Sequence, residues 1–473
     1  MEHDPGKVAF VEGERTLTYG ELETRTDAIA RALAARGVGP DDRIAIMLPN
    51  SVAFFEVWAA AAKLGAAVVL VNTHLKADEV RYILDDSGAQ VLVDDLADVE
   101  AMAGSPGPAV ELRPLVVLAP PVFYTSGTTG RPKGVVHGTF DGERAMLAQQ
   151  GQVALWGWQP DDVYILAGPA YHAGPGGFVM SALFVGATTV VMPRWDAREF
   201  LRLVDSHRVT LSFMTPAHFI RVLEVPDAER ARFDTSSLRL VVHGAAPCPV
   251  EVKRRIMDAL PSAAIWELYG ASEGGATRIA PEEWRARPGS VGRPWPGVEI
   301  RILDELGNVV PQGQPGIVYI RPAGGARFHY HDDPGKTAQA WRDDAFTVGD
   351  IGYVDDGGYL YLTDRVSDMV IRGGVNIYPR EIEEVLHTHP AVVDCAVFGV
   401  PDDRYGEQLH AVVEVRSPVA AEALQAHVRE RLADYKVPAT VEFVDELPRN
   451  PNGKVIKRLL REQAWEGRER RIG

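Results

Sequence analysis

Cysteine is nearly missing from this chain. Only Cys248 and Cys395 occur, far apart and without pairing or zinc-ligand spacing, which excludes a disulfide scaffold and a cysteine-rich metal site. Both read as small core residues, in keeping with a reducing compartment. Long apolar runs are missing too. The most apolar stretch, residues 57–72, carries Lys63 and Gly65 and is too short to span a bilayer; it reads as a helix end running into a buried strand. The N-terminal MEHDPGKVAFVEG has no basic segment followed by an apolar one, so neither a signal peptide nor stable membrane anchoring is expected, and the predicted location is cytoplasmic. A basic excess is the third absence. Forty-nine Lys and Arg stand against 65 Asp and Glu, a formal charge of −16, which argues against a nucleic-acid partner. An anionic ligand would need a local positive pocket in an acidic exterior.

What is present is a soluble composition, 46% hydrophobic and 24% charged, over 473 residues, enough for two or more domains. Residues 17–38 have helical apolar spacing with Gly37 as a stop signal, and the strand candidate RIAIML (43–48) follows directly. The alternation repeats through a helix near 52–63, the strand AAVVLV, the helix KADEVRYILDDSG and the strand AQVLVDD. It resumes at TTVVMP, with VTLSFMT, LRLVVHG and AAIWELYG as further strand-plus-turn candidates. Such alternation predicts an α/β fold layered on mostly parallel sheet. Beyond about Val291 the texture turns β-rich, with Gly-Asn, Asp-Gly and Gly-Gly turn signals. After Arg365 comes a smaller α+β unit: the helix PREIEEVL opened by Pro379, the strands DCAVFGV and HAVVEV, and the helix AEALQAHVRERL. The prediction is a large N-terminal domain of several subdomains over residues 1–366, parallel-sheet layers plus a β-rich part, followed by a small α+β domain over 367–473.

Chemistry concentrates first in YTSGTTGRPKGVVH, residues 124–137, which packs four Ser/Thr hydroxyls and three glycines around Arg131 and Lys133. Glycines let backbone N–H groups turn toward a ligand, hydroxyls add donors, and lysine brings a mobile charge; the set suits a polyphosphate. A polar surface loop is the other reading of such a cluster. It is not a Walker A loop, because Lys133 follows Pro132 and precedes Gly134. Gly335-Lys336-Thr337 fails as well, since Tyr330 stands where the earlier glycine is required.

The loop resembles the phosphate-loop signature of the adenylate-forming superfamily, which holds acyl-CoA synthetases, peptide-synthetase adenylation domains and luciferases. Further signatures of that superfamily follow in its order: HGAAP (243–247), YGASEGG (269–275), TVGD (347–350), DRVSDMVIRGGVNIYPREIE (364–383) and PRNPNGKVIKR (448–458). The resemblance runs nearly end to end. It implies an AMP-forming acid–thiol ligase, an acyl-CoA synthetase: a carboxylate attacks the α-phosphate of ATP, pyrophosphate leaves, the small mobile domain turns, and the thiol of coenzyme A displaces AMP. Two anions must meet, so such catalysis is mainly positioning and charge neutralisation. ATP and coenzyme A are the implied co-substrates and Mg2+ the implied metal. The rival readings are a ligase that loads a separate carrier protein, a member retaining one half-reaction, and a non-catalytic nucleotide- or acyl-binding protein. Retention of Lys454, Glu273 and the phosphate loop weighs against the last.

Carried over on the same resemblance, Thr125, Ser126, Gly127, Thr128, Thr129, Gly130 and Lys133 would hold the leaving phosphates. Glu273 would ligate the metal, with Thr125 beside it, and Ser272 would reach the α-phosphate. Gly244, Ala245, Ala246, Pro247, Tyr269, Gly270 and Ala271 would form the adenine pocket, the Tyr269 ring stacking on the base. Asp350 would accept the ribose hydroxyls, and Arg365 would add a ribose or phosphate contact. Lys454, in a P-x4-G-K pattern, resembles the lysine that bridges substrate carboxylate and α-phosphate, where a compact ammonium offsets their repulsion. Taken singly, Lys454 is a solvated charge, Glu273 a surface carboxylate and Asp350 a turn residue; the ordered motifs reverse that. Lys454, Glu273, Ser272 and Lys133 are the catalytic candidates.

Tyr171, His172, His243, Gly274 and Gly275 are the substrate-site candidates, although Tyr171 and His172 also fit a satisfied core pair. Amino-acid-activating relatives place an aspartate at the position of His172, so an acid without an α-amino group is expected. Gly174, Gly176, Gly177, Gly274 and Gly275 either leave room for a bulky or medium-length apolar acid or serve tight turns. Gly373 and Gly374, with Arg372, resemble the loop that lines the pantetheine tunnel. No carrier domain follows Lys454, which makes coenzyme A the simpler acceptor; the basic residues near the C-terminus either meet its phosphates or form a solvated helix face. Ser367 falls at the hinge, where Asp or Lys is usual. Asp364 replaces a commoner glycine and Val348 interrupts the usual Thr-Gly-Asp, so an altered balance between the half-reactions is expected.

Overall fold

The computed structural model describes residues 3–465 apart from 106, 116–117, 119–120, 126–131, 138–141 and 452. The chain forms two compact units: Met1–Met214 with Val225–Val242 and Ala326–Gln339, and Thr215–Glu224 with His243–Gly325 and Ala340–Gly473. This grouping cuts the chain elsewhere than at 366/367.

The first unit carries the parallel layers expected from the βα alternation. In one sheet Arg43–Ile46 stands between Val91–Val93 and Ala67–Leu70, and Pro121–Thr125 follows, all parallel. Lys133–Val136 and His329–Tyr330 extend it antiparallel. A second sheet runs Arg15–Thr18, Val8–Glu12, Thr188–Val191, Val163–Leu166, Leu211–Met214, parallel from Val8–Glu12 onward. Helix Tyr19–Ala35 begins in a capping box: the Glu21 N–H donates to Thr18 Oγ1 at 3.2 Å, and the Thr18 N–H donates to the Glu21 carboxylate at 2.8 Å. Helix Val52–Leu64 is buried along its whole length, as a helix apolar on all sides must be. Lys63, the charge that interrupts this apolar run, is fully buried, with Nζ 2.6 Å from Asp27 Oδ1 and 2.8 Å from Glu23 Oε1. Pairing with two carboxylates of the neighbouring helix offsets its desolvation.

The second unit contains the β-rich part. Its antiparallel strands follow the order Trp341–Arg342, Ala345–Phe346, Gly316–Arg321, Asp350–Val354, Leu360–Arg365, Ser290–Pro294, Gly274–Ile279, Ala264–Ala271. A further sheet pairs the long strands Val392–Asp402 and Gly406–Val415, with Thr440–Val444 parallel to the latter and the hairpin Val370–Arg372/Val375–Ile377 at its side. Helices Pro379–His387 and Ala421–Arg429 cover it, burying Ile382, Leu386, Leu424 and Val428 against Val397, Leu409 and Val413. AAIWELYG, read as a strand ending in a turn, continues as strand to Ala271 and pairs back on Gly274–Ile279. Gly270 permits this, because a Cβ there would lie 2.9 Å from the Gly274 carbonyl oxygen. Among the described residues no helix is long and apolar enough to cross a membrane.

Phe55, fully buried, stacks on Phe10 at 5.6 Å and on Trp58 at 6.2 Å between ring centroids. Phe55→Ala is expected to cost about 3–5 kcal/mol. Leu306, 84% exposed, is expected to tolerate alanine within about 0.5 kcal/mol. Urea unfolding midpoints of the two variants check the contrast.

Candidate active site

The second unit encloses a cavity of about 220 Å³. Leu268 to Ala271, at the end of one strand, and Ala245 to Pro247, in the loop after another, form part of its wall. The two segments approach closely: a Cβ on Gly244 would stand 2.7 Å from the Leu268 carbonyl oxygen. Ala245 takes φ +68°, a left-handed conformation that costs a non-glycine residue about 1–2 kcal/mol. Ser272 and Glu273 form the tip of the hairpin, between Ala271 and its partner Gly274.

Asp350 and Arg365 face each other across the hairpin Asp350–Val354/Leu360–Arg365. Arg365 Nε donates to Asp350 Oδ1 at 3.0 Å, and the Tyr269 hydroxyl donates to Asp350 Oδ2 at 2.7 Å. Burial and the Asp350 charge push the Tyr269 hydroxyl pKa well up, so it remains a donor. Each carboxylate oxygen keeps a further lone pair for a ligand hydroxyl.

Lys454 lines the same cavity. It closes a tight turn in which its N–H donates to Asn450 Oδ1 at 2.9 Å and its carbonyl accepts from the Asn450 N–H at 2.9 Å. Arg365 beside it, then burial, lowers its ammonium pKa from 10.5 to about 8, with Asp350 and Asp368 opposing. The other cations of the wall are committed: Arg365 to Asp350, Arg380 to Glu384 at 3.9 Å, His387 to Asp394 at 3.2 Å, Arg449 to Asp394 at 2.6 Å, Lys457 to Glu383 at 2.7 Å. Among the described residues Lys454 makes no salt bridge. A half-buried cation held beside a second cation and, among the described residues, without a salt bridge is arranged to receive an anion.

Glu267 of this wall belongs to a buried charge pair. Lys253, on helix Val250–Ala259, places Nζ 2.7 Å from Glu267 Oε2 and 4.7 Å from the centroid of the Trp284 ring. His243 is fully buried, packed edge-on against Phe219 with ring centroids 5.0 Å apart, and both its ring nitrogens lack hydrogen bonds. Burial, aided by Lys253, holds it neutral. It stands outside the cavity wall. Gly373 and Gly374, at φ +59° and +83°, make the two-residue turn between Arg372 and Val375, and Arg372 Nη1 donates to the Tyr435 carbonyl at 2.8 Å. These residues also stand outside that wall. The Ser367 carbonyl accepts from Arg461 Nη1 at 3.1 Å.

In the first unit, strand Pro121–Thr125 precedes the segment predicted to bind phosphates, and the Tyr124 hydroxyl at its end donates to Asp86. Lys133 Nζ lies 4.8 Å from the Tyr330 ring centroid. Ser126, Gly127, Thr128, Thr129 and Gly130, and the Thr125 side chain, lie outside the described residues. His172 caps helix Ala173–Val185, and its ring centroid is 4.6 Å from that of Tyr171. Tyr171 Oη and His172 Nε2 are both buried without a hydrogen-bond partner, so this is no satisfied core pair. Burial lowers the His172 pKa to about 4 and keeps the imidazole neutral. Two orphaned polar atoms on neighbouring rings are what polar ligand groups would satisfy.

The glycines expected to leave room do so unevenly. A Cβ on Gly174 would sit 2.5 Å from the Phe213 ring, on Gly176 2.3 Å from the Ala170 carbonyl oxygen, on Gly275 2.2 Å from the Trp295 ring and on Gly274 3.2 Å from Phe346. Those positions are occupied by the protein's own packing; of the five, Gly177 alone faces open space. Sequence reading left Asp368, Glu383 and Lys457 without a role, although all three lie in quoted motifs and now stand on the cavity wall. Lys457 was detectable as a second lysine one helical turn past Lys454. Glu383 and Asp368 carried no signal, because their carboxylates meet it only through the fold.

The AMP-binding enzyme family model matches residues 1–119 and 121–330, and the model of the AMP-binding enzyme C-terminal domain matches residues 381–454. A fatty acid–[acyl-carrier-protein] ligase, ScoC, of Streptomyces coeruleorubidus is 34% identical over 511 residues, covering 100% of this chain and 96% of the relative. A feruloyl-CoA synthase from an Amycolatopsis species is 35% identical over 480 residues, covering 97% and 96%. The o-succinylbenzoate CoA synthetase (MenE) of Bacillus subtilis, solved with the acyl-adenylate intermediate OSB-AMP, superposes with a TM-score of 0.86 at 28% identity, covering 96% and 95%. The same enzyme has been solved with ATP and a magnesium ion, at a TM-score of 0.84. The chain belongs to the AMP-binding enzyme family. It is an ATP-dependent, AMP-forming acid–thiol ligase.

Lys253→Met leaves Glu267 buried and unpaired and is expected to destabilise the protein by about 3–5 kcal/mol. Adding Glu267→Gln should recover much of the loss, a coupling that a double-mutant cycle on unfolding midpoints measures.

Proposed function

We propose that the enzyme activates a carboxylic acid without an α-amino group and passes the acyl group to the thiol of coenzyme A. The observation that carries the reading is the half-buried Lys454 ammonium, without a salt bridge among the described residues, on one cavity wall with the Asp350–Arg365–Tyr269 cluster and the 244–247 edge. Tyr269 and residues 244–247 would take the adenine, Asp350 the ribose hydroxyls and Arg365 a ribose or phosphate oxygen. Lys454 would stand between the substrate carboxylate and the α-phosphate and offset their repulsion. Lys133 and the loop from Thr125 would take the leaving phosphates.

Glu273 suits Mg2+. A hairpin tip presents one hard carboxylate, and a nucleotide-borne Mg2+ takes few protein ligands beside phosphate oxygens and water. When bound, the ion would neutralise phosphate charge; Ser272 next to Glu273 would donate its hydroxyl to a phosphate oxygen. We place the boundary between the large domain and the mobile one at 366/367, with Ser367 as hinge, Arg372, Gly373 and Gly374 at the thiol's approach, and the enzyme in the cytoplasm.

For the acid, a neutral His172 has no carboxylate partner to offer an ammonium, in line with the missing aspartate. The orphaned Tyr171 Oη and His172 Nε2 favour an acid with a neutral hydrogen-bonding group on an otherwise apolar body over a plain alkyl chain. The feruloyl-CoA relative is consistent with this choice. The carrier-protein ligase among the relatives keeps a carrier thiol as the second reading of the acceptor.

ATP–pyrophosphate exchange across fatty, aryl, alicyclic and amino acids, without coenzyme A, tests the first step. Exchange is expected with one class lacking an α-amino group, and Lys454→Ala is expected to lower it about 10²–10³-fold. No exchange with any acid by folded, ATP-binding protein would overturn adenylation. Because the working form of Lys454 is the protonated one, kcat/KM should fall as pH rises through about 8. Supplying coenzyme A against a phosphopantetheinylated carrier then decides the acceptor.

A further inference from the structure

Lys457 stands three residues beyond Lys454, at the first position of helix Lys457–Ala464. A cation there opposes the helix dipole, so helix stability is no reason for its placement. Its Nζ lies 2.7 Å from Glu383 Oε1, which also accepts from the Val397 N–H at 2.7 Å. Asp364 and Asp368 add their charge. Asp364 is itself fixed, accepting from the N–H of Arg365 at 2.8 Å and of Arg380 at 3.2 Å. One turn further along the same helix, Arg461 Nη1 lies 3.3 Å from Asp368 Oδ1. The helix is thus tied to helix Pro379–His387 through Lys457 and to the segment that follows Arg365 through Arg461. Val455 and Ile456 alone separate Lys457 from Lys454, a span of at most about 11 Å at roughly 3.6 Å per residue.

Resting on the reading that Lys454 neutralises the reacting anions, we propose that Lys457 is a positioning residue: anchored by Glu383, Asp364 and Asp368, it fixes the turn that presents the Lys454 ammonium. Lys457 makes no use of its charge on substrate. It acts on Lys454 through the short connection and through like-charge repulsion, alongside Arg365 and against Asp350 and Asp368.

Two readouts test this in the full chain. Trace acetylation with acetic anhydride at a series of pH values, read by mass spectrometry on the peptide holding Lys454, follows that amine without any substrate. In Lys457→Gln the Lys454 titration is expected to move to higher pH, since a repelling cation is gone and its carboxylates remain. ATP–pyrophosphate exchange with the preferred acid is expected to fall between about tenfold and about a hundredfold, in kcat rather than in the KM for ATP. Lys457→Arg, which keeps the charge, should restore most of the rate and the original titration. If Lys457→Gln does not fold, Lys457→Gln with Glu383→Gln removes both partners and is expected to show the same loss of exchange. Wild-type exchange in a folded Lys457→Gln or double variant, or an unmoved Lys454 titration in Lys457→Gln, overturns the proposal. If Lys454→Ala itself exchanges at the wild-type rate, the assignment of Lys454 falls instead, and the acetylation profile still judges the anchoring.

Discussion

A carboxylate cannot approach a triphosphate until the charge of one of them has been offset. That electrostatic constraint organises the second unit. The chain carries −16 overall, and even the cavity wall holds more carboxylates than cations, with Glu267, Asp350, Asp364, Asp368, Glu383, Glu384 and Asp394 among its residues. Bulk positive potential is therefore not the device used. The wall instead neutralises nearly every cation with its own carboxylate and leaves Lys454 over. In a half-buried setting, an ammonium next to Arg365 that makes no salt bridge among the described residues acts on an incoming anion more strongly than a fully solvated lysine could. Its depressed pKa is the cost of holding it there, since burial and Arg365 both favour the neutral amine.

The parallel layers, the β-rich middle and the small α+β end were legible in the sequence because each rests on local pattern. The helical spacing read over residues 17–38 forms helix Tyr19–Ala35, and Pro379 opens its helix at the expected position. Elements whose form depends on a distant partner were less legible. AAIWELYG reads as a strand with a turn, and only the return of Gly274–Ile279 against it extends the strand and puts Ser272 and Glu273 at a tip. Of the cavity, Lys454, Asp350, Arg365 and Tyr269 were found through ordered motifs. Their convergence was not, because the Asp350–Arg365 contact is a cross-strand pairing that no spacing encodes.

Glycines misled for a related reason. A glycine in sequence shows that a side chain is unwelcome without showing what excludes it. At Gly275 the indole of Trp295 takes the space and at Gly174 the ring of Phe213 does. Orphaned polar atoms also need sorting. His243 has two unsatisfied nitrogens, yet Phe219 packs on it and it stands off the cavity wall, with Nε2 3.6 Å from Glu267 Oε2, so it belongs to the buried Lys253–Glu267 pair rather than to a ligand site. Tyr171 and His172 leave two orphaned atoms on adjacent residues at a helix start, whose ring centroids lie 4.6 Å apart, and polar ligand groups can satisfy them.

Asp364 shows how one departure from a family pattern can be weighed physically. A glycine there would contribute no side chain. The aspartate takes the N–H groups of Arg365 and Arg380, joining the end of strand Leu360–Arg365 to the start of helix Pro379–His387. Burial first, and Glu383 as well, raise its pKa to about 6 despite Lys457. A carboxyl group with a raised pKa favours the buried arrangement in its protonated form. Relative to any state that exposes Asp364 to water, this arrangement is strongest below the ordinary carboxylate range and weakens as pH climbs from about 3.8 to about 6. At neutral pH the two hydrogen bonds hold the arrangement together while the desolvated charge pushes against it. An aspartate at this position therefore narrows the gap between the Asp364-buried arrangement and one in which strand and helix have parted. That is the direction in which a residue joining a strand end to a helix start can retune the balance between two arrangements of the chain without touching a substrate.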